Sequence, residues 1–151
     1  MKFILAAIFL TSTAFSATTG TLLLKGVISD SLEIIVVPEV LAANLPLGVS
    51  QTGTLVAKVT EKSNSNTGYK VAISSANLGN LKRSGGTENV PYSLSYGGQT
   101  VNLTTGTTFS QTTGGVYNVQ KNVEISYTGV DANASVPGEY SDVVTFTISA
   151  N

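Results

Sequence analysis

Along this chain the apolar positions recur with a period of two far more often than with a period of 3.6, the mark of strands with one covered face. From residue 20 to 28, Leu22, Leu24 and Ile28 share one face of an extended segment with Gly26 between them, while Leu23, Lys25 and Val27 share the other. The first face carries no charge. A segment this apolar has to be covered by something, because a bare strand of this kind recruits another chain. Residues 32–37 follow as a second strand after a bend at Asp30 and Ser31. Their unbroken apolar run predicts burial on both faces or a switch between sheets, and Pro38 ends them.

Residues 40–45 read as a short strand or a helical turn, closed by Pro46 and Gly48. In residues 53–62, Leu55, Ala57 and Val59 alternate inward against Lys58 and Thr60. Turn chemistry at 63–66 and the alternation of Tyr69, Val71 and Ile73 then predict a hairpin with a return strand. Residues 77–89 form a loop with a short strand near Leu81 and a solvated tip at Lys82-Arg83. Residues 90–96 and 99–103 flank Gly97-Gly98, a two-residue turn signal. A Thr/Gly-rich loop is expected at 104–115, and a strand at 117–127 with an interruption near Lys121-Asn122. Pro137-Gly138 turns into the closing strand, where Tyr140, Val144, Phe146 and Ile148 share a face.

Beyond the first residues no amphipathic helix is visible. Many short strands separated by turn signals predict an all-β protein, an immunoglobulin-like β-sandwich, with Tyr140 placed to act as its corner tyrosine.

Composition narrows the chemistry. Of the 151 residues 11% are charged and the formal net charge is −1, which favours neither nucleic acid nor an anionic membrane surface. With no His and no Cys, the commonest general base, the thiol nucleophile and any disulfide are missing. No nucleophile elbow, phosphate loop or zinc motif occurs, so no catalytic residue, no metal site and no cofactor are assigned. Asp131, Asn133, Glu139 and Asp142 crowd the last turn without the spacing of a calcium loop, and read as turn chemistry. Tyr92, Tyr96, Tyr117 and Tyr127 read as cross-strand and core-edge residues rather than as a sugar platform.

Residues 1–16 have the form of a secretory signal. Lys2 supplies the positive start, residues 3–10 the apolar core, and Ala14-Phe15-Ser16 the small residues before a cut at Ala17. The organisation expected is a leader at 1–16, an N-terminal extension at 17–28 and a β-sandwich domain at 29–151.

Three stretches carry a resemblance: Asn66-Thr67-Gly68-Tyr69-Lys70-Val71, then Val90-Pro91-Tyr92-Ser93-Leu94-Ser95-Tyr96-Gly97-Gly98, then Val136-Pro137-Gly138-Glu139-Tyr140-Ser141-Asp142-Val143-Val144. Their order and spacing resemble the major pilins of the archaic and alternate chaperone/usher pathways, including domains of the spore coat protein U type. Ala150 stands where the best-known branch of that pathway has tyrosine. The resemblance implies a sandwich lacking its final strand, completed by the N-terminal extension of a neighbouring subunit. Carried over, Leu22, Leu24, Gly26 and Ile28 match the donor strand. Tyr140, Val144, Phe146 and Ile148 match the last strand a subunit owns, beside which the donor lies.

The function so implied is that of a structural subunit of a fimbrium serving adhesion or biofilm formation. Its partners would be copies of itself or related pilins, a periplasmic chaperone and an outer-membrane usher. Its route would be secretion through the periplasm to the cell surface, with no membrane span in the mature chain. An alternative stays open in which residues 20–28 complete their own sandwich and the protein is a self-contained secreted module binding glycan or protein.

Overall fold

A computed structural model describes residues 18–151; the expected leader lies outside the described residues. The protein is an all-β sandwich. The eleven strands among the described residues are, in chain order, β1 (Leu32–Pro38), β2 (Gln51–Ser63), β3 (Tyr69–Ser75), β4 (Asn80–Arg83), β5 (Asn89–Pro91), β6 (Ser93–Tyr96), β7 (Gln99–Val101), β8 (Thr107–Gln111), β9 (Tyr117–Tyr127), β10 (Tyr140–Ser141) and β11 (Val144–Ala150). A single 3-10 turn, Val40–Ala43, follows β1.

One layer is a five-stranded sheet in the order β1-β2-β9-β6-β7, and the facing layer is β11-β3-β8. A third small sheet, β10-β4-β5, prolongs β3 and β11 beyond a shared kink at residues 76–79 and 142–143. All pairings are antiparallel. The two main layers enclose one core, in which Val59, Val71, Ile73 and Tyr96 are almost fully buried. The period-two alternation explains this directly. Along β3, Tyr69, Val71, Ile73 and Ser75 point inward while Lys70, Ala72 and Ser74 face solvent.

Several expectations give way to the three-dimensional pairing. β2 and β3 are not a hairpin: they lie in opposite layers, joined by the corner at residues 64–68. The alternation of each strand was readable, but both faces of such a corner carry the same pattern as a hairpin. Residues 90–96 divide at Tyr92, with β5 pairing β4 in the small sheet and β6 pairing β9 in the large one. The Thr/Gly-rich loop contains β8, which forms the edge of the second layer beside β3. β9 runs uninterrupted, and the irregularity falls on its partner.

Register shifts between Gln51 and Thr54 and between Leu55 and Ala57 put Val56 and Ala57 both into the core. Leu55 is left opposite Glu124 instead of pointing inward. Lys82-Arg83 is no loop tip: both residues belong to β4, where Arg83 Nε donates to Glu88 Oε2 at 2.6 Å.

The Gly97-Gly98 turn and the Tyr140 corner match the structure. Gly97 and Gly98, at φ +56° and +80°, make the two-residue turn between β6 and β7. The hydroxyl of Tyr140 donates to the Val136 carbonyl at 2.7 Å, the upstream backbone bond of a corner tyrosine. Among the described residues no helix is long and apolar enough to cross a membrane.

Candidate functional site: an open apolar edge and an unpaired extension

β1 has the most apolar sequence of any strand, yet none of its residues is buried. This departs from the burial expected on both faces, and the cause is topological. Among the described residues β1 pairs only with β2, and β11 pairs only with β3, so both are edges of their sheets. They lie beside one another along one flank of the sandwich. Inward residues at this flank are undercovered: Val36 sits opposite the fully buried Val59 and is still 41% exposed. Val144, Phe146 and Ile148 on β11 pack against the core but are only half-buried. Tyr140, expected on the same strand face, belongs to β10 in the small sheet and borders the flank from outside β11.

At the β1 C-terminal end the flank opens into a cavity of about 360 Å³. Val56, Ala57, Leu94 and Ile125 form its floor, Pro38 and Ala42 one wall, and Val144 and Phe146 the other. Its lining is largely hydrocarbon, and the strand edges on either side offer unpaired backbone groups. An extended apolar segment could both fill the cavity and satisfy those groups.

Asp142 fixes the far end of this groove. Its carboxylate accepts from the hydroxyls of Ser75 at 2.5 Å and Tyr92 at 2.7 Å, and from the backbone N–H of Asn77 at 2.9 Å. One side chain thereby ties β3, the β5–β6 crossover and the start of β11 together. Burial, then the bond to Asp142, pushes the Tyr92 phenol well above its ordinary value. Nothing in the sequence pattern signals this role. Asp131 makes only a local turn, accepting from the Asn133 backbone at 2.9 Å.

A second polar cluster lies inside the sandwich. Glu61, fully buried, follows Ala57 and Val59 at the inward parity of β2. It accepts hydrogen bonds from the hydroxyls of Tyr69, at 2.7 Å, and Tyr96, and pairs with Lys121 Nζ at 3.2 Å. Lys121 also lies over the Tyr96 ring, 5.0 Å from its centre. Desolvation, reinforced by the bonds to Glu61, raises both phenols far above the usual tyrosine range. A charged residue on the apolar parity of a strand was the available signal for this cluster. Of the four tyrosines considered as a sugar platform, Tyr96 and Tyr127 are buried and Tyr92 and Tyr117 half-buried, so they form no common exposed face.

Residues 18–31 form no strand and are exposed. Leu22, Leu24 and Ile28 are 82%, 83% and 90% exposed, and Gly26 has open space around it. Leu22, Leu24 and Ile28 are therefore not in contact with Val144, Phe146 and Ile148 within one chain. The base of the segment, by contrast, is held. Asn64 accepts from the Ser31 backbone N–H at 2.5 Å and donates from its side chain to the Ser29 carbonyl at 3.1 Å. Among the described residues no group of three or more acidic or other metal-ligating side chains comes together. No protein-family model and no curated protein matches the chain.

Proposed function

We propose that this protein is a structural subunit of a chaperone/usher fimbria, polymerising by donor-strand exchange. The observation that carries the reading is a mismatch within one chain. A sandwich with two adjacent free edges over an apolar groove bears an exposed apolar segment that pairs with no strand among the described residues. Residues 20–28 of a second copy fit that groove in chemistry, with Leu22, Leu24 and Ile28 inward beside Val144, Phe146 and Ile148. Burying three such side chains contributes roughly 5 to 9 kcal/mol before ordering costs. Set against a net domain stability of about 5 to 15 kcal/mol, a filled groove decides whether the domain persists.

The resemblance of the 66–71, 90–98 and 136–144 stretches to archaic and alternate pilins supports the same reading. It brings with it a periplasmic chaperone that lends a strand, an outer-membrane usher, and a surface filament serving adhesion or biofilm formation. The apolar leader at residues 1–16 fits the export this route requires.

The test is a denaturing gel, run without boiling, of the mature protein exported with its candidate chaperone. A ladder of multimers that collapses on heating and disappears in the Leu22→Asp/Leu24→Asp variant is expected. A single monomer band indifferent to both changes would refute exchange and favour a self-contained binding module.

A further inference from the structure

An extension that carries its own donor strand faces a competing reaction, insertion into the groove of the same chain. Resting on the exchange reading above, we infer that Asn64 is the residue that suppresses this self-closure and so commits the extension to a second copy.

The topology defines what self-closure would look like. Leu32 pairs with Ser63 and Ala150 pairs with Tyr69, and Ser63 and Tyr69 flank the single corner at residues 64–68. The start of β1 and the end of β11 therefore lie at the same end of the groove. A donor strand antiparallel to β11 would put Ile28 near Val144, about 20 Å from Leu32. The chain from Ile28 to Leu32 spans at most about 14 Å. A chain cannot fill its own groove in that orientation. The only self-closed form is a hairpin that reverses at Ser29-Asp30-Ser31 and lays residues 21–28 antiparallel to β1.

Asn64 holds the residues that would have to turn. Its backbone N–H donates to the Ser31 carbonyl at 3.2 Å, and its side chain grips the Ser31 N–H and the Ser29 carbonyl. Two of these three bonds come from the side chain, which acts as one further rung of the β1–β2 ladder. They keep residues 29–31 running on in the direction of β1, away from the groove. Reversal at these residues sacrifices the grip. The extension beyond it, with Lys25 in its middle, is left exposed to meet another subunit.

Each hydrogen bond corresponds to a factor of roughly 2 to 12 in an equilibrium. Asn64→Ala, losing the two side-chain bonds, is expected to raise the ratio of closed to open monomer by a factor on the order of ten. Asn64→Asp keeps the acceptor for Ser31 and loses the donor to Ser29, and is expected to lie between. Mature protein refolded from denaturant without chaperone supplies two readouts. The first is the partition between monomer and heat-labile multimers. The second is trypsin cleavage after Lys25, which is rapid when the extension is free and slow when it is inserted.

In the wild type the monomer is cut at Lys25 and multimers grow with protein concentration. In Asn64→Ala a concentration-independent monomer protected at Lys25 accumulates at the expense of multimers. If both Asn64 variants fold and give the wild-type partition with the same cleavage at Lys25, the clamp is overturned. If Asn64→Ala does not fold, Asn64→Asp decides by the same two readouts. A wild type that forms no multimers at any concentration, with or without chaperone, overturns the exchange reading itself, a result distinguishable from failure of the clamp alone.

Discussion

Replacing Glu61 with alanine isolates the cost of the buried charge at the centre of the sandwich. The variant removes the acceptor of two phenolic hydroxyls and the counter-ion of Lys121. The ion pair itself contributes little, since the Lys121 side chain is 32% exposed and water screens it, leaving about 1 kcal/mol or less. The hydroxyls matter more. Tyr69 and Tyr96 are buried, and each left without an acceptor costs about 1 to 3 kcal/mol. Together with the loss of packing, Glu61→Ala is expected to destabilise by about 3 to 5 kcal/mol. Glu61→Gln retains an acceptor oxygen and is expected to cost about 1 to 2 kcal/mol. Urea unfolding of the monomeric protein at low concentration reads this as a fall in midpoint with unchanged slope. A double-mutant cycle with Lys121→Met separates the ion pair, whose coupling should not exceed about 1 kcal/mol. A Glu61→Ala variant within about 1 kcal/mol of wild type would refute the reasoning, because two orphaned hydroxyls cannot be that cheap.

Two further predictions follow from the same core. The phenols of Tyr69, Tyr92, Tyr96 and Tyr127 are all raised in the folded state, foremost by desolvation, so their stabilising contribution is complete below about pH 10, the unfolded value, and is lost as pH rises above it. The unfolding free energy from urea melts should be flat up to about pH 9.5 and then fall by about 1.4 kcal/mol per pH unit for each contributing tyrosine, and Tyr96→Phe should shallow that fall; a free energy constant to pH 12 would contradict it. Gly68→Ala should destabilise by more than about 2 kcal/mol, since φ is +83° and an added Cβ would stand 2.0 Å from the Gln111 carbonyl oxygen, a backbone atom of the neighbouring β8 that cannot step aside. Thermal unfolding checks this, with Gly85→Ala as the control at similar φ in open space.

The all-β class, the inward faces of β3 and β11, the Gly97-Gly98 turn and the Tyr140 corner could be read from the sequence, because each depends on local alternation or on one backbone conformation. Parity would put Leu22, Leu24 and Ile28 on one face of an extended segment, but within this chain residues 20–28 form no strand. Which strands pair was decided only in three dimensions. Alternation says which side chains point inward but not which sheet they face, so the corner at 64–68 reads as a hairpin and β8 reads as loop. The exposure of Val36 and Phe146 likewise follows from what is not beside them, an edge left open by topology. Asp142, Glu61 and Asn64 acquire their roles from partners distant along the chain, Ser75 and Tyr92, Lys121, and Ser29 and Ser31. Local pattern carries the period of a strand, whereas hydrogen-bond partners distant in sequence are set by the packing of the whole sandwich.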